Sequence, residues 1–126
     1  MSMRRILATA AMIVAVATTA AAAQYKTITS LQAKALLDKG AVFLLDVRTP
    51  EEFRQAHMKG AVLIPIDQIE KRLGEIPKNR PILVYCAVGS RSNAVAGFLT
   101  EKGYRDIYNM SDGIVGWYRN GLPISR

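Results

Sequence analysis

The segment Pro81 to Asn93, P-I-L-V-Y-C-A-V-G-S-R-S-N, restricts this chain more than any other stretch. Ile82, Leu83, Val84 and Tyr85 form a β-rich apolar run without polar alternation, the pattern of a strand covered on both faces. Cys86 stands where that strand must end, and Gly89, Ser90, Ser92 and Asn93 supply turn and helix-cap chemistry. From Ser92 a helical pattern begins, with Ala94 and Phe98, and Val95 and Leu99, each four apart. A strand, a tight loop and a helix in succession aim consecutive backbone N–H groups at one point. The single cysteine of the chain lies at that point.

A thiol so placed has a reason to ionise. Loop amides, the positive end of the next helix and the Arg91 guanidinium all favour thiolate over thiol. Such surroundings bring a cysteine from about 8.5 down to roughly 3.5–7.5, and the thiolate is the nucleophile. The plainer reading makes Cys86 a small buried hydrophobe, a common fate of a lone cysteine. Its position at a strand end, with Gly89 and Arg91 after it, favours a thiolate held by six consecutive backbone units and open to solvent.

With 126 residues the chain can form one domain around one core. Met3-Arg4-Arg5, the alanine-rich run from Ile6 to Ala17 and Ala21-Ala22-Ala23 before Gln24 make a secretory signal pattern over 1–23. The competing reading is a retained membrane anchor, weakened by the dominance of alanine and threonine. Cleavage would leave a domain over 24–126 in the periplasm or another exported compartment, without stable membrane association. Loss of Arg4 and Arg5 takes the formal charge from +7 to +5. The remaining basic residues are scattered, which argues against nucleic acid and for small anionic ligands. One cysteine permits no internal disulfide, and an unpaired thiol in an oxidising compartment is kept either sequestered or for its reactivity.

The rest of the chain alternates strands and helices. Tyr25–Ile28 reads as a first strand. Leu31 to Asp38 reads as a helix capped by Thr29 or Ser30, with Leu31, Ala35 and Leu36 or Leu37 inward. Ala41 to Val47 reads as a central strand. Thr49-Pro50-Glu51-Glu52 opens a short helix through a capping box, with Phe53 inward and an end near His57. Val62 to Pro65 is a brief strand, and Ile66, Ile69, Leu73 and Ile76 have the spacing of an amphipathic helix. After the helix that ends near Lys102, Ile107–Met110 is a last strand and Ile114–Arg119 a helix that buries Trp117. This order gives an α/β fold with a mostly parallel sheet and helices on both faces. In such sheets ligands bind beyond the carboxyl ends of the strands, where Cys86 stands.

The chain resembles the single-domain rhodaneses, thiosulfate sulfurtransferases, and among them an exported, phage-shock type. The resemblance rests on D-V-R-T-P-E-E-F at 46–53, H-M-K-G-A-V-L-I-P at 57–65, Y-C-A-V-G-S-R-S at 85–92, G-Y at 103–104, and D-G-I-V-G-W with G-L-P-I from 112 onward. It implies that Cys86 takes a sulfane sulfur from thiosulfate or a similar small anion, holds it as a persulfide and passes it to a thiol or cyanide. It further implies substrate binding by Ala87, Val88, Gly89, Ser90 and Arg91, mainly through backbone, with Arg91 as a cationic aid. Asp46 and Arg48 would serve as structural support, with Arg48 meeting Glu51 or Glu52. No metal or other cofactor is called for, and a monomer is expected. Met58-Lys59 and Asp112-Gly113 depart from common Ile-Pro and Gly-Gly forms and bear on pocket shape.

Two other functions compete. Cysteine-dependent phosphatases and arsenate reductases use Cys-x5-Arg, whereas Arg91 makes this loop Cys-x4-Arg, one residue short for a tetrahedral oxyanion. A non-enzymatic sulfur carrier would need the same cysteine and loop. His57, the single histidine, could pair with a nucleophile but is read as structural.

Overall fold

The computed structural model describes residues 11–15 and 24–126. Apart from residues 11–15, the expected signal segment over 1–23 lies outside the described residues. Among the described residues no helix is long and apolar enough to cross a membrane.

Five strands form one parallel sheet: β1 (Lys26–Ile28), β2 (Phe43–Asp46), β4 (Val62–Leu63), β5 (Ile82–Tyr85) and β6 (Ile107–Met110). Their order is β1-β6-β5-β2-β4. A second, two-stranded antiparallel sheet joins β3 (His57–Met58) to β7 (Ile124–Ser125). The helices are α1 (Ser30–Asp38), α2 (Pro50–Gln55), α3 (Ser90–Glu101) and α4 (Gly113–Arg119).

The strands β2 and β5 are buried along their whole length, as their unbroken apolar runs require. Alternate side chains divide between two cores. Leu45, Val47, Ile82, Val84 and Ile107 face Val95, Ala96 and Leu99 of α3. Leu44, Leu83, Tyr85 and Met110 face Ala33 of α1 and Ile114 and Trp117 of α4. Helices therefore cover both faces, and the three central strands deliver their carboxyl ends side by side.

Local chemistry sets where the helices begin. Thr29 and Gln32 form a reciprocal capping box at α1, and Thr49 and Glu52 do the same at α2. The inward face of α1 is only partly the one expected. Leu31 is 59% exposed and Ala35 is also outward, while Ser30 and Ala33 are buried and Leu37 packs on the core. Asp112 explains the rotation: its carboxylate accepts the Ser30 amide at 2.9 Å and the Ser30 hydroxyl at 2.6 Å. That grip turns Ser30, and with it positions 33 and 37, toward the sheet.

The helix expected over Ile66–Ile76 is instead two separate 3₁₀ turns, Ile66–Gln68 and Leu73–Glu75. Gly74 weakens a continuous helix there. The Tyr104 hydroxyl also donates to the Leu73 and Ile76 carbonyls, at 3.1 and 2.7 Å, so they gain tertiary partners. Ile69 and Ile76 are buried as the spacing required, but Ile66 is 40% exposed.

Candidate active site

Cys86 follows β5 directly, between the loop after β2 and the loop after β6. Its loop turns back at Gly89, whose φ of 101° belongs to the left-handed region that favours glycine. A Cβ at that position would collide with the Ser111 carbonyl. The reciprocal contact occurs at Gly113, φ 61°, where a Cβ would collide with the Ala87 carbonyl. The two loops thus meet backbone to backbone. The first amides of α4 complete the join, with Ile114 N–H donating to the Cys86 carbonyl at 2.9 Å and Val115 N–H to the Ala87 carbonyl at 3.2 Å.

Around the sulfur the loop closes into a bowl. Cys86 Sγ accepts the Gly89 amide at 3.1 Å and the Ser92 amide at 3.4 Å, and lies 3.4 Å from Ser92 Oγ. Burial pushes the thiol up, but the Ser92 hydroxyl and the Ser92, Gly89 and Val88 amides outweigh it, so Cys86 ionises below its ordinary value. The amides converge as the sequence suggested. The expectation of a sulfur open to solvent is corrected: Cys86 is 0% exposed. Cys86 packs into the core beside α3, so the sulfur that collects these amides is also enclosed. Ser92 was not among the expected binders, although its spacing of six from Cys86 places it in the first turn of α3.

The expected loop residues divide by role. Gly89 is buried and donates its amide to the sulfur, while Val88 is 62% exposed at the rim. Ala87 is half-buried and Ser90, exposed, opens α3. Arg91 is not aimed at the sulfur as a free cation. Its Nη1 and Nη2 donate to the two Glu52 carboxylate oxygens at 2.7 and 3.0 Å. This pairing holds the Glu52 carboxyl at about 2, well below its ordinary range. Glu52 therefore caps α2 and clasps the nucleophile loop together.

Asp46 and Arg48 come together as a buried pair. Arg48 Nε donates to Asp46 Oδ1 at 3.0 Å and Nη2 to Oδ2 at 2.8 Å, and the same Nη2 reaches the Ala56 carbonyl at 2.7 Å. Burial opposes the Arg48 charge, but Asp46 overrides it and raises the guanidinium pKa. The expected contact of Arg48 with Glu51 or Glu52 is thus corrected: Asp46 is its acid, and Glu52 belongs to Arg91. His57 stacks on Phe53 with ring centres 3.8 Å apart, and Nδ1–H donates to the Phe53 carbonyl at 2.8 Å, a structural placement. The departures at Met58 and Asp112 have structural partners. Met58 N–H donates to the Tyr85 hydroxyl at 3.0 Å, and Asp112 ties the loop after β6 to α1.

The profile described as "Rhodanese-like domain" matches residues 29–120. The chain belongs to the rhodanese-like domain family. A sulfurtransferase of Allochromatium vinosum is 40% identical to this rhodanese over 89 residues, 71% of this chain and 83% of that protein. The thiosulfate sulfurtransferase GlpE of Tolumonas auensis is 38% identical over 94 residues, 75% of this chain and 89% of that one. Among solved structures, a rhodanese-related protein of Thermoplasma volcanium superposes with a TM-score of 0.74 at 28% identity, covering 80% of this chain and 98% of its own. These likenesses support sulfur transfer as the activity of this rhodanese domain.

Proposed function

We propose that this rhodanese takes a sulfane sulfur from thiosulfate or a similar small anion onto Cys86 and passes it to a thiol or cyanide. The observation that carries this reading is the convergence of two loop amides and the Ser92 hydroxyl on one cysteine sulfur. In the first step the Cys86 thiolate attacks the outer sulfur of thiosulfate. The new Sγ–S bond forms as the S–SO3 bond breaks, and the electron pair leaves with sulfite. In the second step the acceptor takes the outer sulfur and the pair returns to Sγ. Loop amides suit both steps, because each begins or ends with negative charge on Sγ. Ala87, Val88, Gly89, Ser90 and Arg91 serve through backbone, while Asp46 and Arg48 brace the neighbouring loop.

Two features favour sulfur transfer over phosphate chemistry. The Cys-x4-Arg loop is one residue short, and the Arg91 guanidinium is already committed to Glu52. The enclosure of the sulfur lends weight to a slower variant, a carrier loaded by a partner and unloaded once. We also propose export of the domain, on the basic start, apolar run and alanine cleavage pattern within 1–23.

Intact mass after incubation with thiosulfate tests the reading. The expected result is one added sulfur, released as thiocyanate by cyanide and absent in Cys86→Ser, which folds normally. Transfer retained by Cys86→Ser, or no sulfur gained by the wild type, would reject it. Repeated turnover against a single loading separates the enzyme from the carrier.

A further inference from the structure

Next to the nucleophile loop lies a cleft of about 460 Å³, within the size range of small-ligand sites. Ala87, the residue after the nucleophile, forms part of its wall, and Ile114, Val115, Tyr118 and Ile124 make it largely apolar. Its charged groups are of two kinds. Arg48 and Glu52 are already satisfied, by Asp46 and Arg91. Arg119 also lines it and enters no ion pair among the described residues. The cleft is thus an apolar trough with unneutralised positive charge, adjoining the nucleophile loop.

The geometry of α4 sets the spacing. This helix starts on the loop, with the Ile114 and Val115 amides bonded to the Cys86 and Ala87 carbonyls. Tyr118 and Arg119 follow four residues later, about 6 Å along the axis. A ligand with its reacting atom at the loop and an anionic group about 6 Å away would meet Arg119, its carbon chain lying on Val115 and Tyr118.

We infer that this cleft is the acceptor subsite and that it selects low-molecular-weight thiols carrying a carboxylate a few bonds from the sulfur. The inference rests on the sulfur-transfer reading above. The acceptor thiolate attacks the outer sulfur of the Cys86 persulfide. A bond forms between acceptor sulfur and outer sulfur, the Sγ–S bond breaks, and the pair returns to Sγ as thiolate. The outer sulfur, left anionic when sulfite departs, takes a proton from solvent before the attack and keeps it on transfer. Arg119 touches only the carboxylate.

The test compares three thiols of similar size, 3-mercaptopropionate, 3-mercaptopropanol and cysteamine, as acceptors from the persulfide form of the full chain. Dividing each wild-type kcat/KM by that of Arg119→Gln cancels differences in thiol basicity. The quotient is expected to be about fivefold larger for the carboxylate than for the alcohol, the scale of one partly screened ion pair. It should be larger again for Arg119→Glu and return toward unity in Arg119→Lys. Equal quotients for all three thiols would overturn the inference. If no persulfide forms, the sulfur-transfer reading fails and the cleft is judged by binding alone. The non-reactive 3-(methylthio)propionate should then shift the amide resonances of residues 114–119 in the wild type and not in Arg119→Gln. Absence of such shifts, or equal shifts in both proteins, would overturn the subsite as well.

Discussion

Replacing Ser92 by alanine isolates one of the groups that keep Cys86 ionised. The Ser92 hydroxyl has a single proton and two acceptors within reach, Gly89 O at 3.1 Å and Cys86 Sγ at 3.4 Å. While Cys86 is a thiol, the hydroxyl can donate to Gly89 O and receive the S–H. Once the thiolate forms, the proton does more by turning to sulfur. The gain on ionisation is therefore a difference: a hydrogen bond to a charged group, about 1.5–3 kcal/mol, replaces a neutral one of about 0.5–1.5. That difference is about 1 kcal/mol, or about a fivefold change in the thiolate fraction below the midpoint. Little folding energy should be lost with it, because Gly89 O still accepts the Asn93 amide at 3.1 Å. The assay is the pH profile of Cys86 alkylation by iodoacetamide. Ser92→Ala should move the midpoint upward and slow the reaction about fivefold on the acid side, with both proteins converging on the alkaline plateau. An unchanged midpoint with a lowered plateau would refute the argument, since it would mean that the hydroxyl governs access and not charge.

The remaining predictions concern the frame around the sulfur. The Glu52 carboxyl, held at about 2 against an ordinary 4.5, stabilises the fold fully above 4.5 and progressively less as pH falls toward 2. Because the pair is about one-third exposed, screening reduces its worth to about 1 kcal/mol, so Glu52→Gln should lower Tm by about 4–8 °C at neutral pH. That deficit should close in acid, and a deficit independent of pH between 6 and 2 would show that lost capping explains it. Gly113→Ala should cost about 2–3 kcal/mol, from positive φ plus the collision with the Ala87 carbonyl, as measured by urea unfolding. Gly121→Ala shares the positive φ but meets nothing within 4 Å, and should lose only about 1 kcal/mol; equal losses would sink the interlocking of the two loops.

What could be read directly was whatever is written in neighbouring residues. The run Ile82–Tyr85, the capping box at Thr49, the cap at Thr29 or Ser30 and the amide-rich turn after Cys86 are local signals, and each lies where its signal pointed. Contacts between distant positions were not legible. The face that α1 buries depends on Asp112, 82 positions away, and Arg91 finds its acid 39 positions away in a helix cap. The turns over 66–76 depend on Tyr104, and β3 and β7 are only two residues each, defined by pairing with one another. At the site, strand, loop and helix imply a ring of amides but not how far that ring covers the atom at its centre. Ser92 was visible as a cap residue; its second position beside Sγ required the turn at Gly89 to be known.

The contact between the Cys86 loop and the Ser111–Gly113 loop is made by main chain on both sides. A seam of that kind is indifferent to which side chains its neighbours carry, provided both glycines stay. Positions 87, 88 and 90 can then be rewritten as a library while the sulfur's hydrogen-bonding ring keeps its dimensions. Choice of donor could be retuned at the mouth without retuning the nucleophile, and a selection aimed at new sulfur sources would do best to begin with Val88.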